Sequence, residues 1–390
     1  MKIGIVVPHI FMHRDILPQV IFSPAKLALQ LAEGLEKQGA QDIQVTLYTP
    51  GPVDTAVRNV TADLSLFEQE LQGRGDTYID LLKKHPMTFV SLARQVQAEL
   101  IANAFAAANA GELDIVHIYT NEEDIALPFA QLCTKPVVFT HHDPFNFLVK
   151  YKNVFPKYKH LNWISMSLAQ RRGMPAGTNW VGNIYHGLLP QQFVPNLQGR
   201  HDGDRYLAYI GRIIEPKGVH LAIQAVKEYN RTTAEPYILK IAGKHYSGAK
   251  DTYWQDVIAP QIDNKEILYE GFIDNDARKQ EFLANAAALL VPSTFEEPFG
   301  MVAIEALACG TPLVALDSGA LPEIIQEGKT GFVVVKGASD GATAAALADA
   351  INHIPKIDRQ NCRQDFEARF TVDRMYSEHI AVYEKLLKSL

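Results

Sequence analysis

The sequence predicts an α/β protein of two Rossmann-like domains. Three observations predict it: a length of 390 residues, short β-branched runs that alternate with longer amphipathic stretches, and a break near the middle after which the alternation begins again. A chain this long exceeds what one hydrophobic core usually organises, so two domains of about 150–200 residues are expected. Hydrophobic residues at 47% and charged residues at 21% supply apolar material for two cores and exclude a disordered chain.

The alternation starts with Lys2–Val7, Pro24–Lys37 and Ile43–Tyr48, which reads as β-α-β with a parallel sheet. Ser23 and Pro24 read as an N-cap followed by proline at the first helical position. Further strands are expected at Asp114–Tyr119, Pro136–Thr140, Trp163–Met166 and Trp180–Tyr185, separated by helical segments such as Thr88–Ala108 and Glu123–Leu132. Together they form a first domain over residues 1–190. Between His186 and Arg205 the chain is rich in Pro, Gly, Gln and Asn, which places a linker at 191–204. A second series follows over 205–370, with strands at Tyr206–Ile210, Tyr237–Ala242, Ile267–Tyr269, Ala288–Val291, Leu313–Leu316 and Phe332–Val335, and a final helix at Val372–Leu387. No repeat period or low-complexity tract interrupts this order. Two such domains facing one another leave a cleft at the C-terminal ends of both sheets, where α/β folds bind ligands.

Composition narrows the function classes. The longest apolar runs, such as Ala286–Pro292, fall far short of the ~20 residues a bilayer span needs, so neither a transmembrane helix nor a signal peptide is expected. Cys133, Cys309 and Cys362 are widely spaced and odd in number, which suggests neither a disulfide frame nor a zinc site and fits a reducing cytoplasm. A net charge of −7 argues against nucleic-acid binding through a basic surface.

The segment from Ser293 to Pro312 is the richest in candidate chemistry. A strand ends at Pro292, a loop follows, and a helix opens near Gly300, whose amides attract anionic oxygens. Glu297 stands just ahead of that helix and Glu305 about one and a half turns in, so both can face one elongated ligand. A carboxylate accepts two hydroxyls of a sugar or ribose. Taken alone, such a pair reads rather as a dipole-favourable cap at Glu297 and a solvated helix residue at Glu305. The surrounding residues decide between them. The segment resembles the signature of retaining glycosyltransferases of family four, in which two glutamates with seven residues between them follow a loop of Pro-Phe-Gly type. The likeness continues through Ala308-Cys309-Gly310-Thr311-Pro312, Gly319-Ala320-Leu321-Pro322-Glu323-Ile324-Ile325 and Gly328-Lys329-Thr330-Gly331-Phe332.

The resemblance extends over nearly the whole chain. Tyr209-Ile210-Gly211-Arg212-Ile213-Ile214-Glu215-Pro216-Lys217-Gly218 is similar to the family's strand-to-helix turn, in which an Arg and a Lys bind the donor diphosphate. Such cations suit a departing diphosphate that gains negative charge. Without the resemblance, both would read as surface residues. Asp114–Tyr119 and Val137–Asp143 resemble two family strands, which maps the sugar-contacting histidine to His142. Asn183–Leu188 resembles the end of the family's first domain, and Arg374–Leu387 its closing helix, which crosses back onto that domain.

What the resemblance implies is a GT-B fold and transfer of a sugar from a nucleoside-diphosphate sugar, UDP-sugar first, to an acceptor hydroxyl with retention. No metal or other cofactor is implied. Arg212 and Lys217 would neutralise the diphosphate with the amides of Gly300, Met301 and Val302. Glu297 would hold the sugar, Glu305 the ribose, and His142 would orient the sugar. Gly211, Gly243 and Phe299 complete the implied donor contacts.

One departure stands out. Family members carry a Gly-Gly loop after the first strand, yet no glycine lies between Gly4 and Gly34, and Phe22-Ser23 occupy that place. Either the helix start still contacts the phosphates or the local geometry differs. A non-catalytic sugar-nucleotide-binding module therefore stays open as a second reading, with a nucleotide-sugar epimerase or a phosphorylase on a similar fold as a third. Asp202-Gly203-Asp204 and Asp274-Asn275-Asp276 match a metal-binding DxD pattern, but read as solvated loop carboxylates and a helix cap. Gly328-Lys329-Thr330 lacks the upstream glycine of a Walker loop, and no GxGxxG follows the first strand.

Charge is unevenly spread. From Pro144 to His201 there is no Asp or Glu, while Lys150, Lys152, Lys157, Lys159, Arg171, Arg172 and Arg200 are interleaved with aromatic residues. Three readings follow: a site for an anionic acceptor, a patch over residues 150–172 for anionic lipid headgroups, or a solvated face whose lysines pair with carboxylates elsewhere. A lipid role requires exposed apolar residues beside the lysines.

Overall fold

The computed structural model describes residues 1–20, 22–39, 41–119, 122–199, 205–245 and 252–389, with the backbone alone at Glu123. The Asp202-Gly203-Asp204 motif, Arg200, His201 and the end of the expected linker lie outside the described residues. Contacts divide the chain into two units. Unit 1 is Met1–Met166, Arg171–Ile184 and Met375–Leu390; unit 2 is Ser167–Gln170 and Tyr185–Arg374. Segments from Tyr185 onward thus pack with unit 2 ahead of the Pro/Gly-rich stretch. The reason is hydrogen bonding: Arg363 Nη1 donates to Phe193 O at 2.7 Å, and Arg359 Nε donates to Asn196 O at 2.6 Å.

Unit 1 holds a seven-stranded parallel sheet in the order β3-β2-β1-β4-β5-β6-β7. The strands are β1 Lys2–Val6, β2 Gln44–Thr49, β3 Arg58–Thr61, β4 Ile115–Tyr119, β5 Val137–Thr140, β6 Asn162–Ser165 and β7 Trp180–Asn183. Central strands are apolar on both faces, as a parallel sheet covered by helices requires: Ile3, Ile5, Val116, Ile118, Val138 and Phe139 are fully buried. Ile3 aligns with Val45 on one side and Ile115 on the other. The helix Ser23–Gln38 starts one residue earlier than the sequence suggests. Phe22 is its N-cap and makes no side-chain cap bond, so Ser23 is the first helical residue and Pro24 the second. Strand β3 and the helices Ser65–Arg74 and Tyr78–Lys84 add to the expected elements; the last opens with a Thr77/Asp80 capping box. The helix Val372–Lys388 ends in unit 1. There Tyr383 Oη lies 2.7 Å from His117 Nδ1, while His117 Nε2 lies 2.8 Å from Thr140 Oγ1.

Unit 2 holds six parallel strands in the order β10-β9-β8-β11-β12-β13: β8 Tyr206–Ile210, β9 Ile238–Ala242, β10 Ile267–Gly271, β11 Ala288–Val291, β12 Leu313–Leu316 and β13 Gly331–Val334. Its core gathers Leu207, Ile241 and Leu290 from the sheet with Val226, Leu347 and Ile351 from the helices Val219–Thr232 and Asp340–His353. Among the described residues no helix is long and apolar enough to cross a membrane.

Unit 1 is unusual in burying several histidines. Burial pushes His141 and His142 down to about 3 and His9 to about 4, and drives His117 well below its ordinary value. In the unfolded chain these rings take up protons near pH 6.5. The unfolded state therefore binds more protons below that point, and stability falls as pH drops from about 6.5 toward about 4. Thermal unfolding followed between about pH 7 and about pH 5 should show this decline, and His141→Phe, whose ring sits among Phe145, Tyr151 and Phe155, should flatten it. An unchanged slope in that variant would assign the decline to other groups.

Candidate functional site

Strand order in unit 2 reverses between β8 and β11, and the loops leaving the carboxyl ends of those two strands form the crevice where open α/β sheets bind ligands. The first loop runs from Gly211 to Gly218. Arg212 is exposed beside buried Ile213, and Tyr209 Oη donates to Arg212 O at 3.0 Å. A short turn Glu215–Lys217 follows, closed by Gly218 in the left-handed region at φ 72°. The second loop runs from Pro292 to Gly300 and is tied to the first through one carbonyl: the amides of Thr294 and Phe295 donate to Pro216 O at 2.9 and 3.2 Å.

These ties bring Lys217 and Glu297 into a direct ion pair. Ser293 Oγ donates to Glu297 Oε1 at 2.9 Å, and the Ala320 amide donates to Glu297 O at 2.8 Å. Lys217 Nζ also stands 5.1 Å from the centre of the Phe295 ring. Both partners of the pair are largely shielded from water, so each holds the other in place more firmly than an exposed pair would.

The helix Met301–Ala308 opens from Gly300, which has φ 105°. The Ala303 amide closes onto Gly300 O at 3.0 Å, and the amides of Gly300, Met301 and Val302 donate to no protein acceptor among the described residues. Their partial positive charge points out of the helix start. Glu305 lies on this helix and is 9% exposed, with Oε1 2.6 Å from Lys279 Nζ. The solvated-helix reading of Glu305 is thereby corrected: helix packing shields it and a lysine from the helix Asp276–Ala284 pairs with it.

Other sequence candidates fall as follows. Gly243 follows β9, and a Cβ there would lie 1.9 Å from Gly211 O, so the two backbones meet. Phe299 turns inward at 2% exposure, its ring packed on His186 and Tyr185, so its side chain supports the loop from behind. His142 belongs to unit 1, partly buried after β5, with its ring edge-on to Tyr119 at 4.5 Å. Also in unit 1, the place of the absent Gly-Gly loop holds His9, Phe11 and Phe22; His9 stacks on Phe22 at 4.3 Å. Asn275, the centre of the second DxD-like motif, caps the helix Asp276–Ala284 by accepting from the Arg278 amide at 2.8 Å. Among the described residues no group of three or more His, Cys, Asp or Glu side chains is placed to hold a metal ion.

Lys279 and Ser293 escaped sequence reasoning, and so did the segment Ser167–Gln170. Ser167 Oγ donates to Pro298 O at 2.6 Å, and the Glu323 carboxylate accepts from the amides of Leu168 and Ala169 at 2.8 and 2.5 Å. Ser293 sits four residues before Glu297, a spacing open to inspection. The other two act across 26 and 131 residues of sequence and carry no local signal.

Two parallel-sheet Rossmann-like units with this strand order define a GT-B fold. Sucrose-phosphate synthase from Thermosynechococcus elongatus superposes with a TM-score of 0.71 at 18% identity, covering 100% of both chains. Anabaena Alr3699/HepE in complex with UDP superposes at 0.68, also with 18% identity and 100% of both chains. Residues 191–366, which include the whole crevice, match the family model of glycosyl transferases group 1. Among curated relatives, the uncharacterized glycosyltransferase MJ1607 of Methanocaldococcus jannaschii is 28% identical over 219 residues, 52% of this chain and 53% of that protein. The match thus spans about half of that relative's length.

The crevice depends on backbone contact at Gly218, where a Cβ would lie 2.0 Å from Pro292 O. Gly218→Ala must move the two loops apart as well as accept a strained φ, which alone costs about 1–3 kcal/mol. The expected result is a lower melting temperature together with, on the nucleotide reading proposed below, weaker UDP binding. A variant with wild-type melting and binding would show that the loops do not need this approach.

Proposed function

We propose that the chain is a glycosyltransferase that moves a sugar from a nucleoside-diphosphate sugar to an acceptor hydroxyl with retention of configuration. The observation that carries this reading is the convergence, at one switch point of unit 2, of exposed Arg212, Lys217 paired with Glu297, and a helix start with outward amides. A diphosphate leaving a sugar gains negative charge, and cations with fixed dipoles already in position stabilise it without reorganising. Arg212 and the amides of Gly300, Met301 and Val302 supply that stabilisation, and Lys217 joins them when the ligand shares it with Glu297. Glu297 then turns its carboxylate to sugar hydroxyls. Glu305, oriented by Lys279, takes the ribose hydroxyls.

Retention follows from the resemblance to family four, with the departing diphosphate itself helping to deprotonate the acceptor on the same face. UDP is the first nucleotide to test, which the UDP complex of the similarly folded Alr3699/HepE supports. All three cysteines are free thiols, in keeping with a cytoplasmic setting. The cluster of His9, Phe11 and Phe22 at the place of the glycine loop favours one alternative, a module that binds the sugar nucleotide without transfer. Nucleotide binding with neither donor hydrolysis nor transfer would decide for it.

Calorimetry with UDP tests the assignments of the two glutamates. Glu305→Ala should lose about 1.5–3 kcal/mol of binding, the worth of hydrogen bonds to a charged group, while Glu297→Ala should chiefly lower sugar-dependent turnover. Unchanged UDP affinity in Glu305→Ala would remove the ribose assignment. Because cations and amides take the role a divalent ion plays elsewhere, turnover should survive EDTA. Loss of turnover restored by manganese or magnesium would contradict it.

A further inference from the structure

Beyond the donor crevice, unit 1 presents a surface on which apolar side chains stand beside cations. After β5 the chain passes His141 and His142 and enters the helix Val149–Val154, continued by the turn Phe155–Tyr158. The inner side of this stretch is anchored by Phe145, Tyr151 and Phe155, which are buried around His141. Its outer side has a different composition. Phe147, Leu148 and Val149 are 54%, 40% and 77% exposed. Lys152, Asn153, Lys157, Lys159 and His160 are exposed as well. Val149 and Lys152 stand three residues apart and share a face of the helix; with Phe147 and Leu148 before it and Lys157 and His160 after it, they make one exposed stripe along the chain.

Charge on this stripe has one sign. Lys150 is excluded from it, since its ammonium pairs with Asp124 at 3.1 Å and Glu122 at 3.4 Å. Lys152 and Lys157, by contrast, make no ion pair among the described residues, and no acidic residue occurs between Pro144 and His201.

We infer that this stripe docks the chain on an anionic lipid bilayer, with Phe147, Leu148 and Val149 entering the headgroup boundary and Lys152 and Lys157 on the phosphates. Two weak signals side by side, apolar insertion and cationic attraction, are what reversible surface binding needs. Nucleic acid fits less well, because a phosphate backbone gives three consecutive exposed apolar residues no partner and the chain as a whole is at −7. A second copy seated face to face would set like charges opposite each other. The inference does not depend on the donor reading.

Sedimentation of the full chain with phosphatidylcholine vesicles, with and without phosphatidylglycerol, tests it. Binding should require phosphatidylglycerol and weaken with salt. Lys152→Gln and Lys157→Gln should each weaken it about fivefold, and the double variant Phe147→Ser/Val149→Ser should abolish it. Wild-type UDP affinity and cooperative unfolding in each variant confirm that the rest of the chain is intact, and the two exposed lysines keep the test valid if the apolar variant folds poorly. Absence of pelleting, equal pelleting on neutral vesicles, or self-association in sedimentation that Phe147→Ser removes would each overturn the proposal.

Discussion

The close approach of the two loops that leave β8 and β11 is the constraint on which unit 2 depends. Gly218 lies against the Pro292 carbonyl, and the amides of Thr294 and Phe295 share the Pro216 carbonyl. Any side chain at Gly218 would push between them. Once the loops are joined, Lys217 has no need to search for Glu297, and the helix start at Gly300 is fixed beside the same turn. The ordering entropy of the charged groups is thus met during folding, before any ligand arrives.

Each of the two glutamates carries a lysine from a different element: Lys217 comes from the β8 loop, Lys279 from the helix after β10. A shielded carboxylate without a partner is costly, so these pairs let Glu297 and Glu305 sit near a helix start in a partly dry crevice. They also give each carboxylate an orientation. On the proposed reading, a sugar nucleotide would meet carboxylates and cations already gathered at one crevice. The same region of the chain, residues 191–366, is where the group 1 glycosyltransferase model matches.

Much of this was legible in the sequence because its signals are local. Runs such as Ile3-Gly4-Ile5-Val6 and Leu289-Leu290-Val291 identify buried parallel strands, and a proline-glycine break separates the two series. Strand β3 was not legible: Arg58-Asn59-Val60-Thr61 is an edge strand with little apolar pattern. Nor was the surface lysine stretch uniform, since Lys150 is drawn to carboxylates of a different segment while Lys152, two residues on, faces outward. At the crevice, Arg212, Lys217, Glu297 and Glu305 were found through motif context, whereas Lys279 and Ser167 were hidden because only tertiary packing brings them there. Phe299 shows the opposite case, a motif residue whose ring serves the core of unit 2.

The central claim is that unit 2 binds a nucleoside diphosphate at the β8/β11 switch point. A crystal structure of the chain with UDP tests it most directly. The account predicts diphosphate oxygens at hydrogen-bond distance, about 3 Å, from the amides of Gly300 to Val302 and from the Arg212 guanidinium, with the ribose at Glu305. A nucleotide bound at any other position, with these groups untouched, would contradict it.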